Sequence, residues 1–283
     1  MESQAEGRRF AHQLMKLVFS EHLSDYGNYI FPYAIWAFPE KGERPRQLFD
    51  SGFLPASRVL DRFYLCRQVR VNLQQFAPSS ENRRILRKGE GIQVRLVPRG
   101  SYQFTAQRRE FCKGYADIKF GKDLMSFERL DNLMTSPLIT HLMVCTDTAT
   151  GTEIGLVMLY CEAKALAFYY YAFYDLNYFH RNLGMFMMTS AVALFAERGT
   201  RNIYLGTCYS KNALYKTQFA GAEFFNGFHW SQNIKELKHL LERDSPGARQ
   251  HALEDEDFLR LFYEGDLKRT ASLSRFKVRP GKT

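Results

Sequence analysis

Three strand-like runs followed by a long apolar helix and one more strand constrain this chain most. His141–Thr146 and Glu153–Cys161 flank Gly151, which marks the turn of a hairpin. Ala165–Tyr174 comes next, nearly continuous in apolar and aromatic residues, as expected of a strand buried on both faces. Asn182–Arg198 reads as an apolar helix that Gly199 terminates. Asn202–Thr207 is another strand, Lys211–Phe219 a short helix and Ala222–Trp230 a final strand. The order β-β-β-loop-α-β-α-β predicts an α/β (α+β) protein with a mixed sheet. It places a glycine-containing loop between a central strand and a long helix.

The rest of the chain is less regular. Phe10, Leu14, Leu17 and Val18 recur at helical spacing and predict an opening amphipathic helix. Tyr26 to Pro45 is aromatic and broken by prolines, so it reads as loops and short strands, and Gly52-Phe53-Leu54-Pro55 as a turn. Phe63 to Phe76 alternates at Val69, Val71 and Leu73 and predicts one strand; Ile92–Val97 predicts another, ended by Pro98. Thr105–Tyr115 and Phe127–Met134 read as helices. In the charged tail, Leu253, Phe258, Leu261 and Phe262 predict one more amphipathic helix, and Arg275 to Thr283 is expected to be mobile. The expected division is 1–115 (N-terminal subdomain), 116–242 (catalytic domain) and 243–283 (helical tail).

Between the first two strands lies Ser79-Ser80-Glu81-Asn82-Arg83-Arg84-Ile85-Leu86-Arg87-Lys88. A serine can cap its start, and Gly89 and Gly91 can stop it. Arg83 then faces Arg87, and Arg84 faces Lys88. Like charges at that spacing cost roughly 0.2–0.5 kcal/mol per pair. The cluster makes most sense with an anion across the face, and phosphate is the obvious candidate. The bland reading is a solvated cationic helix. Arg95, Arg99, Arg108 and Arg109 can extend the patch. The net charge of +9 (39 basic, 30 acidic residues) agrees with a nucleic-acid partner or an anionic cofactor, and equally with a merely basic protein.

Five cysteines (66, 112, 145, 161 and 208) form no CxxC pair, so local zinc or iron–sulfur spacing is missing and no metal is expected. An odd count reads as reduced thiols in a cytoplasmic protein. No signal peptide and no membrane-length apolar run is present in this sequence. The seven scattered histidines make no Ser-His-Asp or HExxH pattern, which argues against a hydrolase or zinc peptidase.

The strand order resembles the acyl-CoA N-acyltransferase (GNAT-like) fold, a mixed central sheet flanked by helices, here with an N-terminal α/β subdomain. More specifically, the chain resembles the arginyl/leucyl-tRNA–protein transferases of the N-end rule. The blocks that carry this are Val69-Arg70-Val71, Phe76, Pro78-Ser79, Arg83-Arg84 and Leu86-Arg87, then Phe127-Glu128-Arg129. They continue with Phe173-Tyr174-Asp175 (the family's FYDP), Asn182-Leu183-Gly184 (SLG), Tyr204-Leu205-Gly206 (YLG), and Tyr215-Lys216 with Phe219 (MAYKxxF). Each block is short; order and spacing make the joint match specific. The family's N-terminal cysteine cluster is reduced to Cys66, FYDP ends here in Leu176, and YLGYW has become YLG followed by Thr207-Cys208. The aminoacyl pocket is therefore expected to differ, and arginine is not assumed to be the transferred residue.

The resemblance implies transfer of an amino acid from charged tRNA, as co-substrate, to the N-terminal amine of a protein or peptide. Three tasks follow. For holding tRNA phosphates the candidates are Arg83, Arg84, Arg87 and Lys88. For taking the acceptor's proton or orienting its cation, Asp175 with Tyr174 stands just past the central strand; the alternative is a turn aspartate. For the oxyanion and substrate, Arg181, Asn182, Leu183 and Gly184 enter the long helix, whose free N–H groups can hold an anion; alternatively Gly184 only lets the helix pack closely. Tyr209, Tyr215 and Lys216 can stack on the terminal adenine or touch its phosphate; alternatively Tyr215 is core. Two rivals remain: a CoA-dependent N-acyltransferase using acetyl-CoA, for which a single glycine is a poor signal, and a catalytically silent RNA-binding protein. The sequence does not specify the oligomeric state.

Overall fold

The long apolar runs pair into one large sheet. A computed structural model describes residues 15–21, 25, 27, 32–122, 124–244 and 251–276. Its strands are β1 (Lys16–Glu21), β2 (Tyr33–Phe38), β3 (Phe53–Pro55), β4 (Phe63–Leu65), β5 (Gln68–Asn72), β6 (Ile92–Pro98), β7 (His141–Asp147), β8 (Glu153–Glu162), β9 (Leu166–Tyr174), β10 (Asn202–Thr207), β11 (Ala222–Phe225) and β12 (Trp230–Ser231). Its helices are α1 (Pro45–Asp50), α2 (Ser80–Lys88), α3 (Ala106–Lys119), α4 (Phe127–Met134), α5 (Leu183–Glu197), α6 (Ile234–Arg243), α7 (Glu256–Tyr263) and α8 (Leu267–Ser272).

The large sheet runs β12-β11-β5-β10-β9-β8-β7-β6, and a small antiparallel sheet runs β1-β2-β4-β3. In the large sheet every neighbouring pair is antiparallel except β9 and β10, which α5 joins. Strands from both sides of residue 115 share it, since β5 lies between β10 and β11 and β6 forms the far edge. One face buries α2, α5, α6 and α7 through Ile85, Phe186, Leu240 and Phe258. The other buries α1, α3 and α4 through Phe49, Cys112 and Leu130. The result is a three-layer mixed α/β architecture.

Several local expectations change. Leu17 and Val18 lie in β1 rather than a helix, because β1 pairs with β2 along its whole length; Phe10 and Leu14 fall outside the described residues. The single strand expected over Phe63–Phe76 is two, broken at Cys66-Arg67, with β4 in the small sheet and β5 in the large one. Ala222–Trp230 is a hairpin, β11 and β12, and Lys211–Thr217 is a 3-10 helix. The tail holds α6 and α8 besides the expected α7. Of the segment expected to be mobile, 277–283 lies outside the described residues.

Candidate active site

The parallel pair separates partway along. β9 and β10 share only three paired positions, Asn202 with Leu166, Ile203 with Ala167 and Tyr204 with Phe168. Beyond Tyr204, Gly206 takes φ +83, a left-handed conformation that favours glycine, and the β10–β5 register shifts there. β9 runs on to Tyr174, held by β8 alone. The separation opens a cleft of about 770 Å³, lined from one face of the sheet by the first turn of α5 and from the other by Tyr115 of α3 and Phe120 just past its end. This also explains β9's burial. Leu166–Tyr169 are buried, whereas Tyr170–Ala172 and Tyr174 are only half-buried at the opening.

The start of α5 forms one wall. Asn182 is its N-cap, in a left-handed conformation and without a side-chain cap bond. The first helical bond runs from Phe186 N–H to the Asn182 carbonyl (2.9 Å). The N–H groups of Leu183, Gly184 and Met185 therefore belong to the turn that a helix leaves unpaired, and all three residues line the cleft. Tyr174 lies directly against this turn: a Cβ on Gly184 would stand 2.8 Å from its hydroxyl oxygen. The Tyr174 ring is 4.7 Å from that of Tyr115. Burial first, then the hydrogen bond to Tyr174, push the Tyr115 hydroxyl well above its ordinary pKa, so it stays protonated.

Lys216 closes the opposite wall. Its Nζ donates to the Thr207 carbonyl at 2.7 Å, where β10 ends, and lies 6.0 Å from the Tyr215 ring centroid. Burial lowers its ammonium pKa. Among the described residues no carboxylate pairs with it, so it is the cleft's own cation alongside Lys119 at the rim.

The remaining candidates lie around this centre. Asp175, one residue past Tyr174, does not line the cleft; its Oδ1 accepts the Asn177 N–H at 2.9 Å, and its N–H continues the ladder to the Ile154 carbonyl. Arg181 turns away from the cleft, donating from Nε to the Lys88 carbonyl at 3.1 Å and from Nη2 to the Glu90 carbonyl. It thereby ties the end of the basic helix α2 to the entrance of α5. On α2, Ser79 caps the start by accepting the Asn82 N–H. Arg83 donates to the Pro78 carbonyl and Arg84 makes a forked pair with Glu81, while Arg87 and Lys88 are exposed without an ion pair among the described residues. Arg99, Arg108 and Arg109 are engaged with Ser136, Glu153 and Asp131. Tyr209 lies outside the cleft lining, its hydroxyl accepting the Arg67 N–H at 2.7 Å.

Sequence reasoning missed Tyr115, Phe120, Met188 and Leu205, which the cleft includes. Only the aromatic end of α3 hinted at the first two. Cys66 does not fit a family-type metal cluster. It is 5% exposed, burial pushes its thiol up to about 12, and its hydrogen-bond partners are Tyr64 and the Leu54 backbone. Among the described residues no three His, Cys, Asp or Glu side chains converge on a metal position.

The one parallel pair of an otherwise antiparallel sheet thus splays beside the uncapped N-terminus of the helix that joins its two strands. No family model matches the chain. Curated relatives do: aspartate/glutamate leucyltransferases of Ruegeria sp. (strain TM1040), 24% identical over 212 residues (70% of this chain, 75% of that protein), and of Ruegeria pomeroyi, 24% identical over 221 residues (72% and 79%). The leucyltransferase of Cereibacter sphaeroides is 22% identical over 221 residues (71% and 78%). The chain is similar in sequence to these leucyltransferases over 70–72% of its length. Among solved structures it is similar to FemX (TM-score 0.38, 10% identity, 50% of this chain and 52% of that one) and to a GCN5-related N-acetyltransferase from Sphaerobacter thermophilus (TM-score 0.34, 16% identity, 57% and 46%).

Proposed function

We propose that this protein is an aminoacyl-tRNA–protein transferase, moving an amino acid of the Arg or Leu class from charged tRNA to a protein N-terminal amine. Support comes from the leucyltransferase names of relatives matching 70–72% of the chain. The observation that carries the reading is the cleft itself: the unpaired N–H groups of α5, the Tyr174–Tyr115 pair and Lys216 converge where β9 and β10 part. The working compartment is the cytoplasm, where charged tRNA is found. No described helix is long and apolar enough to cross a membrane.

The chemistry assigns each group a task. The acceptor's α-amine, with an ordinary pKa of roughly 7.7–8.0, must be neutral to attack the ester carbonyl. Attack places negative charge on the carbonyl oxygen, and the N–H groups of Leu183, Gly184 and Met185 are suited to hold it. Collapse of the tetrahedral intermediate breaks the ester bond and releases the ribose oxygen of the terminal adenosine, which takes up a proton. Lys216, a desolvated amine, and the Tyr174–Tyr115 hydroxyl pair stand within the cleft to carry that proton. Asp175, outside the cleft lining, keeps Oδ2 free of its turn hydrogen bond and would attract the acceptor's ammonium on its way to the cleft, before it deprotonates there. Arg87 and Lys88, with Arg83 and Arg84, would take tRNA phosphates, and Tyr209 and Tyr215 offer faces for the terminal adenine. Neither a metal nor CoA enters this scheme.

The test is a transfer assay with radiolabelled leucyl- and arginyl-tRNA and peptides of varied first residue. The expected result is tRNA-dependent label in the peptide. Acetylation from acetyl-CoA without aminoacyl transfer, or tRNA binding without any transfer, would overturn the proposal in favour of one or the other rival.

A further inference from the structure

Burial sorts the lysines of this chain. Lys113 and Lys216 are partly buried, and every other described lysine is exposed. Lys113 is neutralised by Asp117, and even the exposed Lys16 and Lys211 lie against Glu40 and Glu242. Lys216 is the partly buried lysine that has no carboxylate partner among the described residues. Its Nζ donates to the Thr207 carbonyl at 2.7 Å. Burial lowers its pKa, and the nearby Cys208 thiol opposes that shift. At neutral pH more of it is therefore the free amine than of a lysine in water, and a desolvated lysine amine is a nucleophile.

Its place matters as much as its charge. Lys216 lines the same cleft as Leu183, Gly184 and Met185 at the start of α5. Gln218, on the same segment, donates from Nε2 to Met185 Sδ at 3.8 Å, which holds that segment against the first turn of the helix. The other lysine of the cleft, Lys119, is exposed at the rim. With the ester carbonyl at the N–H groups of α5, the acceptor's amine has to arrive from solution. The amine of Lys216 is already inside.

We propose that Lys216 is itself an acyl acceptor: when charged tRNA fills the cleft and no acceptor polypeptide does, the protein aminoacylates its own Lys216. The inference rests on the aminoacyl-transfer reading. The neutral Nζ attacks the ester carbonyl, and the carbon–oxygen bond to the terminal ribose breaks. The proton that Nζ loses goes to the ribose oxygen. An amide replaces the ester, and no further reactant is consumed. The product is an aminoacyl-lysine isopeptide within the cleft. It turns Nζ into a neutral amide, occupies the acceptor's space and persists, because an amide is far less reactive than the ester it came from. Self-modification thus shuts the site when charged tRNA outruns its acceptors.

The experiment incubates the full chain with radiolabelled leucyl- or arginyl-tRNA, with and without an acceptor peptide, and locates the added mass by mass spectrometry of the digested protein. Without peptide, one aminoacyl group is expected on Lys216, formed at least about tenfold faster than on any exposed lysine. Activity towards peptide added later should fall in step with the label. Saturating peptide present from the start should suppress both the label and the loss of activity. Lys216→Arg, which keeps the cation but offers no acylatable amine, should stay unlabelled. Peptide transfer by a wild-type protein that itself stays unlabelled, or label on exposed lysines as fast as on Lys216, would overturn the inference and leave the transfer reading standing. A protein that transfers nothing to any peptide and takes no label would overturn both.

Discussion

Tyr174 lies against Gly184 with no room for a methyl group between them: a Cβ there would meet the tyrosine Cζ and hydroxyl oxygen at 2.8 Å. The last residue of β9 and the second residue of α5 therefore form one surface, and the tyrosine's polar end lies beside the unpaired N–H groups of the helix. The close-packing reading of Gly184 and the substrate-site reading thus coincide, since the same close approach delivers a hydroxyl to the start of the helix.

Gly184→Ala should consequently cost more activity than stability. Overpacking typically costs about 1–3 kcal/mol, and alanine in a helix returns up to about 1 kcal/mol over glycine. A modest fall in Tm is expected, with transfer reduced at least tenfold or so because Tyr174 is displaced. Gly184→Ala combined with Tyr174→Leu should recover Tm without recovering transfer. Full activity of Gly184→Ala in the labelled-peptide assay would show that the tyrosine's position does not matter.

Lys216 predicts a pH signature. Burial lowers its pKa in the folded protein below the unfolded value, so between the two the unfolded chain binds more protons and stability rises with pH. Below the folded pKa both states are protonated and the desolvation penalty is fully present. Lys216→Met removes that penalty. Relative to wild type, its Tm is expected to be most favourable near pH 7, and the advantage should shrink as the pH climbs towards the ordinary lysine value of about 10.4. The same variant should lose transfer activity, a stability gain at the expense of chemistry. A Tm difference independent of pH would mean that Lys216 is not held in a desolvated state.

What could be read in advance follows the strength of local patterning. Asn202–Thr207 and Phe127–Met134 have the bounds that their apolar runs and flanking turn residues indicate, and the β7–β8 hairpin turns at Gly151. The insertion of β5 between β10 and β11 was not legible, because it depends on a pairing between segments more than 120 residues apart in sequence that no local period records. Leu17 and Val18 fit a helical spacing as well as a strand until β2 supplies hydrogen-bonding partners. Tyr174, Gly184, Tyr215 and Lys216, which line the cleft, stand out in the sequence through the short family-like blocks they belong to. Tyr115 and Phe120 reach the same cleft only through the packing of α3 across β9, and Arg181, legible as a cation, acts on the Lys88 and Glu90 carbonyls instead of lining the cleft.

That tether makes the basic helix testable in parts. Arg87→Ala and Lys88→Ala should each flatten the dependence of log K on log salt for tRNA binding by about 0.9. Arg84→Ala should do less, because Glu81 already holds the guanidinium in a forked pair at 2.6 Å. Glu81→Gln should tighten tRNA binding by releasing Arg84 and removing a negative charge from the face. Arg181→Lys keeps the cation but cannot span the Lys88 and Glu90 carbonyls together. Its salt slope should therefore match wild type while transfer slows, because α2 no longer holds the docked tRNA at a fixed distance from α5. Filter binding across 50–200 mM salt, read beside single-turnover transfer, separates the two effects. A slope that falls in Arg181→Lys as steeply as in Arg87→Ala would assign Arg181 to phosphate contact rather than to positioning.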